Sequence, residues 1–249
     1  MATRHDVLHI RALRERSART SDGLVVVEGV KSVVELCRSG WTVVRIYAVQ
    51  ERCADIPASH EALAEMCSTR EMERMSSMKT APGILALAEK PVQSAAFDVL
   101  AAVCPIVLGL DGISDPGNVG TLIRTALWFG CAGVWVDHRG ADPWSAKTIQ
   151  AAMGAVFHVP VVEVDLVDAV RSSSLPCYIL DAAGQDIAGH VWEPSIVCVG
   201  SESHGPAPAL REAAAGALAI PGSGQLESLN AAVAGGIVLA QAARALSKG

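Results

Sequence analysis

Three loops of the sequence combine glycines with polar side chains that could bind a ligand or align a reacting group. Their polar side chains are Asn118 and Arg124 in the first loop, Glu202 in the second, and Ser228 and Asn230 in the third. Glycines let the backbone turn tightly, so that its N–H and C=O groups can face a ligand. Each loop follows a short apolar run. Because ligands of open parallel sheets bind beyond the carboxyl ends of the strands, we expect the chemistry at these loops.

The apolar runs that precede the loops belong to a longer series that begins at Pro105. The runs cover residues 106–110, 133–136, 157–162, 177–180, 196–199 and 217–220, and helical patterns separate them. Strands that are buried on both faces and joined by helical crossovers have this pattern. The sequence therefore predicts an α/β fold with a mostly parallel sheet.

The front of the chain predicts a separate, smaller α/β unit. Its expected elements are a helix to about residue 19, strands at 24–28, 41–49 and 83–88, and helices at 30–39, 59–67 and 69–75. A connector that is first polar and then rich in alanine follows. We predict a first domain at residues 1–94, a linker at 95–104 and a second domain at 105–249.

Several classes of protein are excluded by what the sequence lacks. Neither G-x-G-x-x-G nor G-x-x-x-x-G-K-[ST] occurs, which argues against an ordinary dinucleotide or P-loop site. The seven cysteines are scattered without zinc spacing, so we expect free thiols and no metal. Neither a signal core nor an apolar run of the ~20 residues that a membrane span needs is present. We expect a soluble, cytoplasmic protein.

The net charge of −6 argues against binding of nucleic acid through bulk charge. The first 20 residues are different, because five arginines there accompany only two acidic residues. The arginines are Arg4, Arg11, Arg14, Arg16 and Arg19. This local excess could contact phosphates, or it could be the solvated face of a helix; both interpretations stay open.

The three loops resemble the three motifs of the SpoU (TrmH) family of RNA 2′-O-ribose methyltransferases, in the SPOUT superfamily. The matching segments are Asp115-Pro-Gly-Asn-Val-Gly-Thr-Leu-Ile-Arg-Thr-Ala126, Val199-Gly-Ser-Glu-Ser-His-Gly205, and Ile220-Pro followed by Glu227-Ser-Leu-Asn230. The motifs stand in order at the ends of predicted strands and cover about residues 105–245. In addition, Val26-Val-Glu-Gly-Val-Lys31 resembles the opening of the substrate-binding domain that often precedes this catalytic unit.

The resemblance implies a fold, an assembly and a substrate. The second domain would thread its C-terminal part into a deep trefoil knot, and the protein would be a homodimer. The first domain would resemble a ribosomal-protein RNA-binding fold that grips structured RNA. S-adenosyl-L-methionine would be the cofactor. Members with such a front domain act on large structured RNA, so the resemblance favours ribosomal RNA over transfer RNA.

The resemblance also implies roles for individual residues. The catalytic set would be Arg124, Asn118, Glu202, Ser228 and Asn230. The cofactor would lie against Leu180, Gly200, Ile220, Leu229 and Gly222. Arginine stays protonated, so we expect Arg124 to anchor a phosphate and stabilise the developing alkoxide, with base action as the alternative. We expect Asn118 to cap a helix, Glu202 to orient Arg124 or a loop N–H, and Ser228 and Asn230 to open the last helix.

Departures from the family pattern and alternative functions also follow from the residues. Gly222, Ala231 and Ala232 stand where the third motif commonly has Met, Val and Ser, which changes the pocket wall but leaves the polar set intact. The alternatives are a transfer-RNA 2′-O-methyltransferase and a non-catalytic RNA-binding protein of ribosome assembly. A base methyltransferase with a cysteine nucleophile is disfavoured, because Cys131 and Cys198 fall at core positions.

Overall fold

The structure is a computed structural model that describes residues 1–92, 94–202, 204–226 and 228–246. The chain divides into two compact units. One comprises Met1–Val92 with Trp144–His158, and the other comprises Gln93–Pro143 with Val159–Gly249. The described residues contain no helix of the length and apolar character needed to cross a membrane.

The first unit contains a four-stranded sheet in the order β1-β4-β2-β3. Its strands are β1 (Leu24–Glu28), β2 (Val43–Ala48), β3 (Ala64–Met66) and β4 (Ile84–Glu89). The helices that precede β4 in the chain are α1 (Arg4–Ala12), α2 (Arg16–Asp22), α3 (Val30–Arg38) and α4 (Thr69–Met75). Strand β4 is antiparallel to both β1 and β2, whereas β3 is parallel to β2. The predicted strands and the helix at 69–75 are confirmed.

Two predictions for this unit are wrong. The first helix is broken into α1 and α2, because the buried guanidinium of Arg19 donates hydrogen bonds of 2.6 Å to the carbonyls of Leu13 and Arg14 at the break. The segment 59–67 is not one helix, since 3-10 turns at Ala58–Leu63 lead into β3. There, pairing with β2 overrides the helical preference of the sequence.

The second unit contains a six-stranded sheet in the order β10-β8-β9-β5-β6-β7, and all of its paired strands are parallel. The strands are β5 (Cys104–Asp111), β6 (Cys131–Asp137), β7 (Val161–Val164), β8 (Cys177–Asp186), β9 (Ser195–Gly200) and β10 (Gly216–Ala219). The helices of this unit are α5 (Pro116–Phe129), α7 (Leu166–Ser172), α8 (Pro208–Ala213) and α9 (Ala231–Leu246). The predicted α/β fold with a mostly parallel sheet is confirmed.

The segment between β6 and β7 packs within the first unit. It contains α6 (Ala146–Ala152), and Trp144 and Phe157 on either side of it contact Trp41, with ring centroids 5.8 and 5.1 Å apart. Nε2 of His158 lies 3.4 Å from Oε2 of Glu35. This segment therefore does not pack with the second domain, to which its position after β6 in the chain assigns it.

Strand register and helix packing bring the three loops to one edge of the second sheet. Asp111 at the end of β5 pairs with Gly200 at the end of β9, so the first two loops leave the sheet at adjacent positions. Helix α9 packs on α5 through Gly235, where an added Cβ would lie 2.3 Å from Cδ2 of Leu122. This close approach fixes the start of α9, and with it the end of the third loop, beside α5.

Candidate active site

The first loop ends in a capped helix that places Asn118 inside its first turn. Asp115 is the N-cap of α5, Pro116 follows at the first helical position, and the N–H of Asn118 donates to Oδ2 of Asp115 at 3.1 Å. The expectation that Asn118 caps this helix is therefore wrong. Because Asp115 satisfies the helix terminus, the side chain of Asn118 is left for other contacts.

The Asn118 amide joins the three motifs. Its Nδ2 donates a hydrogen bond to Oε1 of Glu202 in the second motif. Its Oδ1 accepts a hydrogen bond of 3.1 Å from Nδ2 of Asn230 in the third motif. One amide group thus contacts loops that are 84 and 112 residues away along the chain, and it does so with both its donor and its acceptor end.

The second loop is closed tightly on itself. Ser201 and Gly205 form an isolated antiparallel bridge, and Gly205 has a φ of +63°. A Cβ on Gly200 would lie 2.3 Å from the backbone nitrogen of Pro206, so only glycine fits there. This turn aims Glu202 at Asn118, rather than at Arg124 or a loop N–H as the sequence predicted.

A buried pair of carboxylates that the sequence analysis missed supports this edge of the sheet. Asp111 and Asp137 end β5 and β6, and Arg139 donates to Asp111 at 2.6 Å and to Asp137 at 2.7 Å. Asp111 also accepts from the N–H of Ala207 at 2.6 Å, which fastens the far end of the second loop. The sequence does hold a signal for this pair, because Asp111 and Asp137 each directly follow a predicted apolar strand.

Hydrogen bonds keep Asp137 ionised despite its burial. Burial alone would raise its pKa, but donation from the Arg139 side chain and from the N–H groups of Arg139 and Leu166 holds the pKa of Asp137 below its ordinary value. With its guanidinium paired to two carboxylates, Arg139 serves to hold the strand ends together.

Arg124 is exposed on α5, and its guanidinium makes no hydrogen bond or ion pair with the described residues. It shares the exposed side of the helix with Thr121 and Trp128. The described contacts therefore link Asn118, Glu202 and Asn230 but not Arg124. A fixed positive charge on the same well-capped helix as Asn118 can attract a phosphate or an oxyanion.

The third loop ends at Asn230, which caps α9. Oδ1 of Asn230 accepts from the N–H groups of Ala232 and Val233 at 3.0 and 3.2 Å. Ser228 is exposed and makes no such bond with the described residues, so the expectation that it also opens the helix is wrong. Ser203 of the second motif and Glu227 of the third lie outside the described residues.

The residues expected to hold the cofactor gather along three neighbouring strands. Leu180 lies within β8, Gly200 ends β9 and Ile220 follows β10, and these strands are adjacent and parallel. Leu180 and Ile220 are half-buried, whereas Gly222 is exposed and a Cβ there would meet nothing within 4 Å. Leu229 is 44% exposed. Apolar side chains on a partly exposed edge, with no charged side chain among them, suit a purine base and a ribose, so these residues fit a nucleoside-containing cofactor.

Comparison with known proteins decides the family. The family model described as "SpoU rRNA Methylase family" matches residues 105–240. The chain belongs to the SpoU methylase family. A second model, described as "MRM3-like substrate binding domain", matches residues 5–86. The SpoU family uses S-adenosylmethionine, so the cofactor expected from the sequence is confirmed, as is the resemblance that predicted it.

Relatives of this SpoU protein match along nearly the whole chain. A "23S rRNA (guanosine(2553)-2′-O)-methyltransferase RlmP" of Bacillus subtilis is 31% identical over 92% of this chain and 92% of its own length. An "uncharacterized tRNA/rRNA methyltransferase" of a Mycobacterium species is 30% identical over 93% of this chain and 80% of its own. The chain is therefore an RNA methyltransferase by family.

Solved structures show the same fold. A putative RNA methyltransferase of the TrmH family from Porphyromonas gingivalis has a TM-score of 0.87 at 30% identity, covering 98% of this chain and 99% of its own. An AdoMet-bound rRNA methyltransferase from Sinorhizobium meliloti has a TM-score of 0.84 at 25% identity, covering 98% and 97%. The described residues of this SpoU protein hold no cluster of three or more His, Cys, Asp or Glu suited to a metal.

Proposed function

We propose that this SpoU protein transfers a methyl group from S-adenosylmethionine to a ribose 2′-hydroxyl of structured RNA, and that ribosomal RNA is its substrate. The observation that carries the proposal is the Asn118 amide, bonded to Glu202 and to Asn230. That pair of bonds gathers all three family motifs into one polar site.

The cofactor supplies a methyl group on a positively charged sulfur, which is reactive without acid catalysis. The task left to the protein is to hold that group and the acceptor oxygen in line. We assign the cofactor side to the backbone at Gly200, Ile220, Gly222 and Leu229, with Leu180 beside the base. These residues offer N–H and C=O groups and apolar surface but no side-chain charge.

On the acceptor side, we assign Arg124 to the phosphate next to the reacting ribose. Its guanidinium keeps its proton at working pH, so it stabilises the alkoxide that forms as the hydroxyl loses its proton to water. Asn118, Glu202 and Asn230 position the loops around it. Ser228 is exposed and uncommitted to the helix cap, and we assign it a hydrogen bond to the substrate.

The choice of ribosomal RNA rests on the domain that precedes the catalytic part. The match to an MRM3-like substrate-binding domain covers residues 5–86, and the B. subtilis relative named above acts on 23S rRNA. We propose that residues 1–94, together with the segment 144–158 that packs in the same unit, bind the RNA, and that the rest of residues 105–249 carries out the transfer, in the cytoplasm.

We further propose that the protein is a homodimer with a knotted C-terminal chain. Val233 and Ile237 are 51% and 39% exposed on one side of α9, and Trp128 is 83% exposed on α5. Apolar groups at this spacing on paired helices are typical of a subunit contact. The chain crosses to the far edge of the sheet at β10 and returns as α9 over β5 and β9, a path that supports the trefoil knot.

The test is methylation in vitro with S-adenosylmethionine labelled in its methyl group. Ribosomal RNA and transfer RNA from a strain without the gene are offered separately, and labelled nucleosides are identified after digestion. We expect label in a 2′-O-methyl nucleoside of ribosomal RNA, and loss of at least about 100-fold in rate with Arg124→Ala. Label in transfer RNA, or in a base, would overturn the assignment. Binding of RNA without binding of the cofactor would indicate a non-catalytic assembly protein.

A further inference from the structure

A positively charged cleft in the first unit is separate from the motifs of the active site. Its volume is about 640 Å³. Its charged lining residues are Arg14, Lys79 and Lys147, and its polar ones include Ser77, Thr80 and Gln150. None of the described residues that line it is acidic, although the protein as a whole carries a net charge of −6.

One wall of this cleft is fastened by a buried carboxylate. Glu28, which is 5% exposed, accepts hydrogen bonds from the hydroxyl of Ser76 and from the N–H and hydroxyl of Ser77, the latter two at 2.9 and 2.5 Å. Arg14 donates to the carbonyls of Met75 and Ser76 at the end of α4. The loop that carries Lys79 is therefore held before any ligand arrives.

The opposite wall is fastened as well. Oγ of Ser145 accepts from the N–H of Thr148 at 3.1 Å and caps α6, whose exposed side carries Lys147 and Gln150. Just before it, the Trp144 ring packs on Trp41. Two lysines thus stand on two walls that are each fixed by contacts with the body of the unit.

We propose that this cleft binds phosphate groups of the substrate RNA and so anchors a stretch of its backbone on the first unit. The inference rests on the proposed function for its choice of ligand. Lysine ammonium groups are compact point charges that bind phosphate without reading bases, while Ser77, Thr80 and Gln150 offer hydrogen bonds to phosphate and sugar. Held walls lower the entropy that binding must overcome.

The experiment measures the affinity of purified ribosomal RNA for the full chain at several salt concentrations. Lys79→Gln and Lys147→Gln should each weaken binding about fivefold at physiological salt, and each should lower the slope of log affinity against log salt by about 0.7–0.9. Arg70→Gln is the matched control, because Arg70 is exposed on α4 of the same unit and does not line the cleft. It should change affinity by less than about twofold.

Three outcomes would overturn the inference. If the lysine variants bind RNA as tightly as the parent protein, the cleft does not contact the bound RNA. An equal loss with Arg70→Gln would mean that only bulk charge matters. Lysine-dependent binding of inorganic phosphate or tripolyphosphate, with RNA affinity unchanged, would indicate a site for a small anion instead.

The same variants separate this inference from the proposed function. Affinity for S-adenosylmethionine and the urea midpoint are measured in parallel and verify that each variant is folded. If RNA binding depends on the two lysines but no 2′-O-methyl nucleoside is formed, the cleft stands and the proposed reaction falls. If methylation occurs and both lysine substitutions leave RNA affinity unchanged, the proposed reaction stands and the proposed role of the cleft is rejected.

Discussion

Nδ2 of Asn230 donates a hydrogen bond of 3.1 Å to Oδ1 of Asn118, although 112 residues separate them in the chain. The same Asn230 side chain uses its oxygen to cap α9 by accepting from Ala232 and Val233. One side chain therefore both begins the last helix and ties it to the first motif. The two functions use different atoms, so substitution can separate them.

Asn230→Asp should keep the helix cap and lose the contact with Asn118. A carboxylate still accepts from the two N–H groups and suits a helix N-terminus, so the free energy of unfolding should change by only a few tenths of a kcal/mol. Asn230→Ala should lose about 1 kcal/mol. Methylation should fall in both variants. Full activity in Asn230→Asp, measured beside urea unfolding, would show that the contact with Asn118 has no catalytic consequence.

Asn118→Ala and Glu202→Ala should not have additive effects on methylation. Each change removes the same hydrogen bond between the two side chains, so the double variant should be about as impaired as the worse single variant. We expect each to reduce the rate about 100-fold through misplaced loops, with only a small change in stability because Glu202 is exposed and Asn118 is only half-buried. Rate losses that simply multiply in the double variant would show that the residues act independently.

Much of this site was predictable from the sequence, and the reasons are physical. Apolar runs that end in glycine-bearing turns predict parallel strands with a common edge, and the sheet confirms it. Asn118, Glu202 and Asn230 could be named because the loops that carry them resemble the family motifs. Their mutual hydrogen bonds depend on strand register, which the sequence alone does not specify.

Other features could not be predicted, because local signals conflict with distant contacts. Asn and Asp are equally good N-caps, so the sequence does not tell whether Asp115 or Asn118 caps α5. The structure shows that α5 begins at Pro116, which makes Asp115 the cap. Arg14 and Arg19 look like surface charge, but they bind backbone carbonyls that come together only in the fold. The segment 144–158 follows a strand of the second sheet, yet its aromatic residues pack in the first unit.

Gly200→Ala should disrupt the protein, whereas Gly222→Ala should not unfold it. A Cβ at Gly200 would press on the backbone of Gly205 and Pro206 at 2.4 and 2.3 Å, which should cost about 1–3 kcal/mol and shift the second loop. The Cβ of Gly222→Ala has open space around it. A loss of S-adenosylmethionine affinity in a stable Gly222→Ala protein would therefore report direct contact with the cofactor. Calorimetric titration and urea unfolding of both variants make the comparison.

Stability should fall in acid as Asp137 becomes protonated. Its pKa is lowered in the folded protein, so the stabilisation that it provides is complete above the unfolded pKa of about 3.9 and is lost as pH falls through the folded value. Asp137→Asn should lose about 2 kcal/mol at pH 7, because Arg139 and Leu166 lose a charged acceptor. Its unfolding free energy should then fall less steeply than that of the parent below pH 4. Parallel acid dependence of the two proteins in urea unfolding would contradict this account.

Val233→Asp and Ile237→Asp should convert a dimer into monomers. The two side chains lie one turn apart and are exposed on α9, so a buried carboxylate in a subunit contact would be left without a partner. Within a single chain the same substitutions lie on the surface and should leave the unfolding midpoint of a monomer almost unchanged.

Val191→Asp is the matched control, since Val191 is 84% exposed in the same unit but outside α9. Sedimentation over a range of concentrations should show monomers for the two α9 variants and dimers for the parent and the control. Dimers in all four proteins would exclude this side of α9 from the subunit contact, and monomers in all four would exclude the homodimer itself.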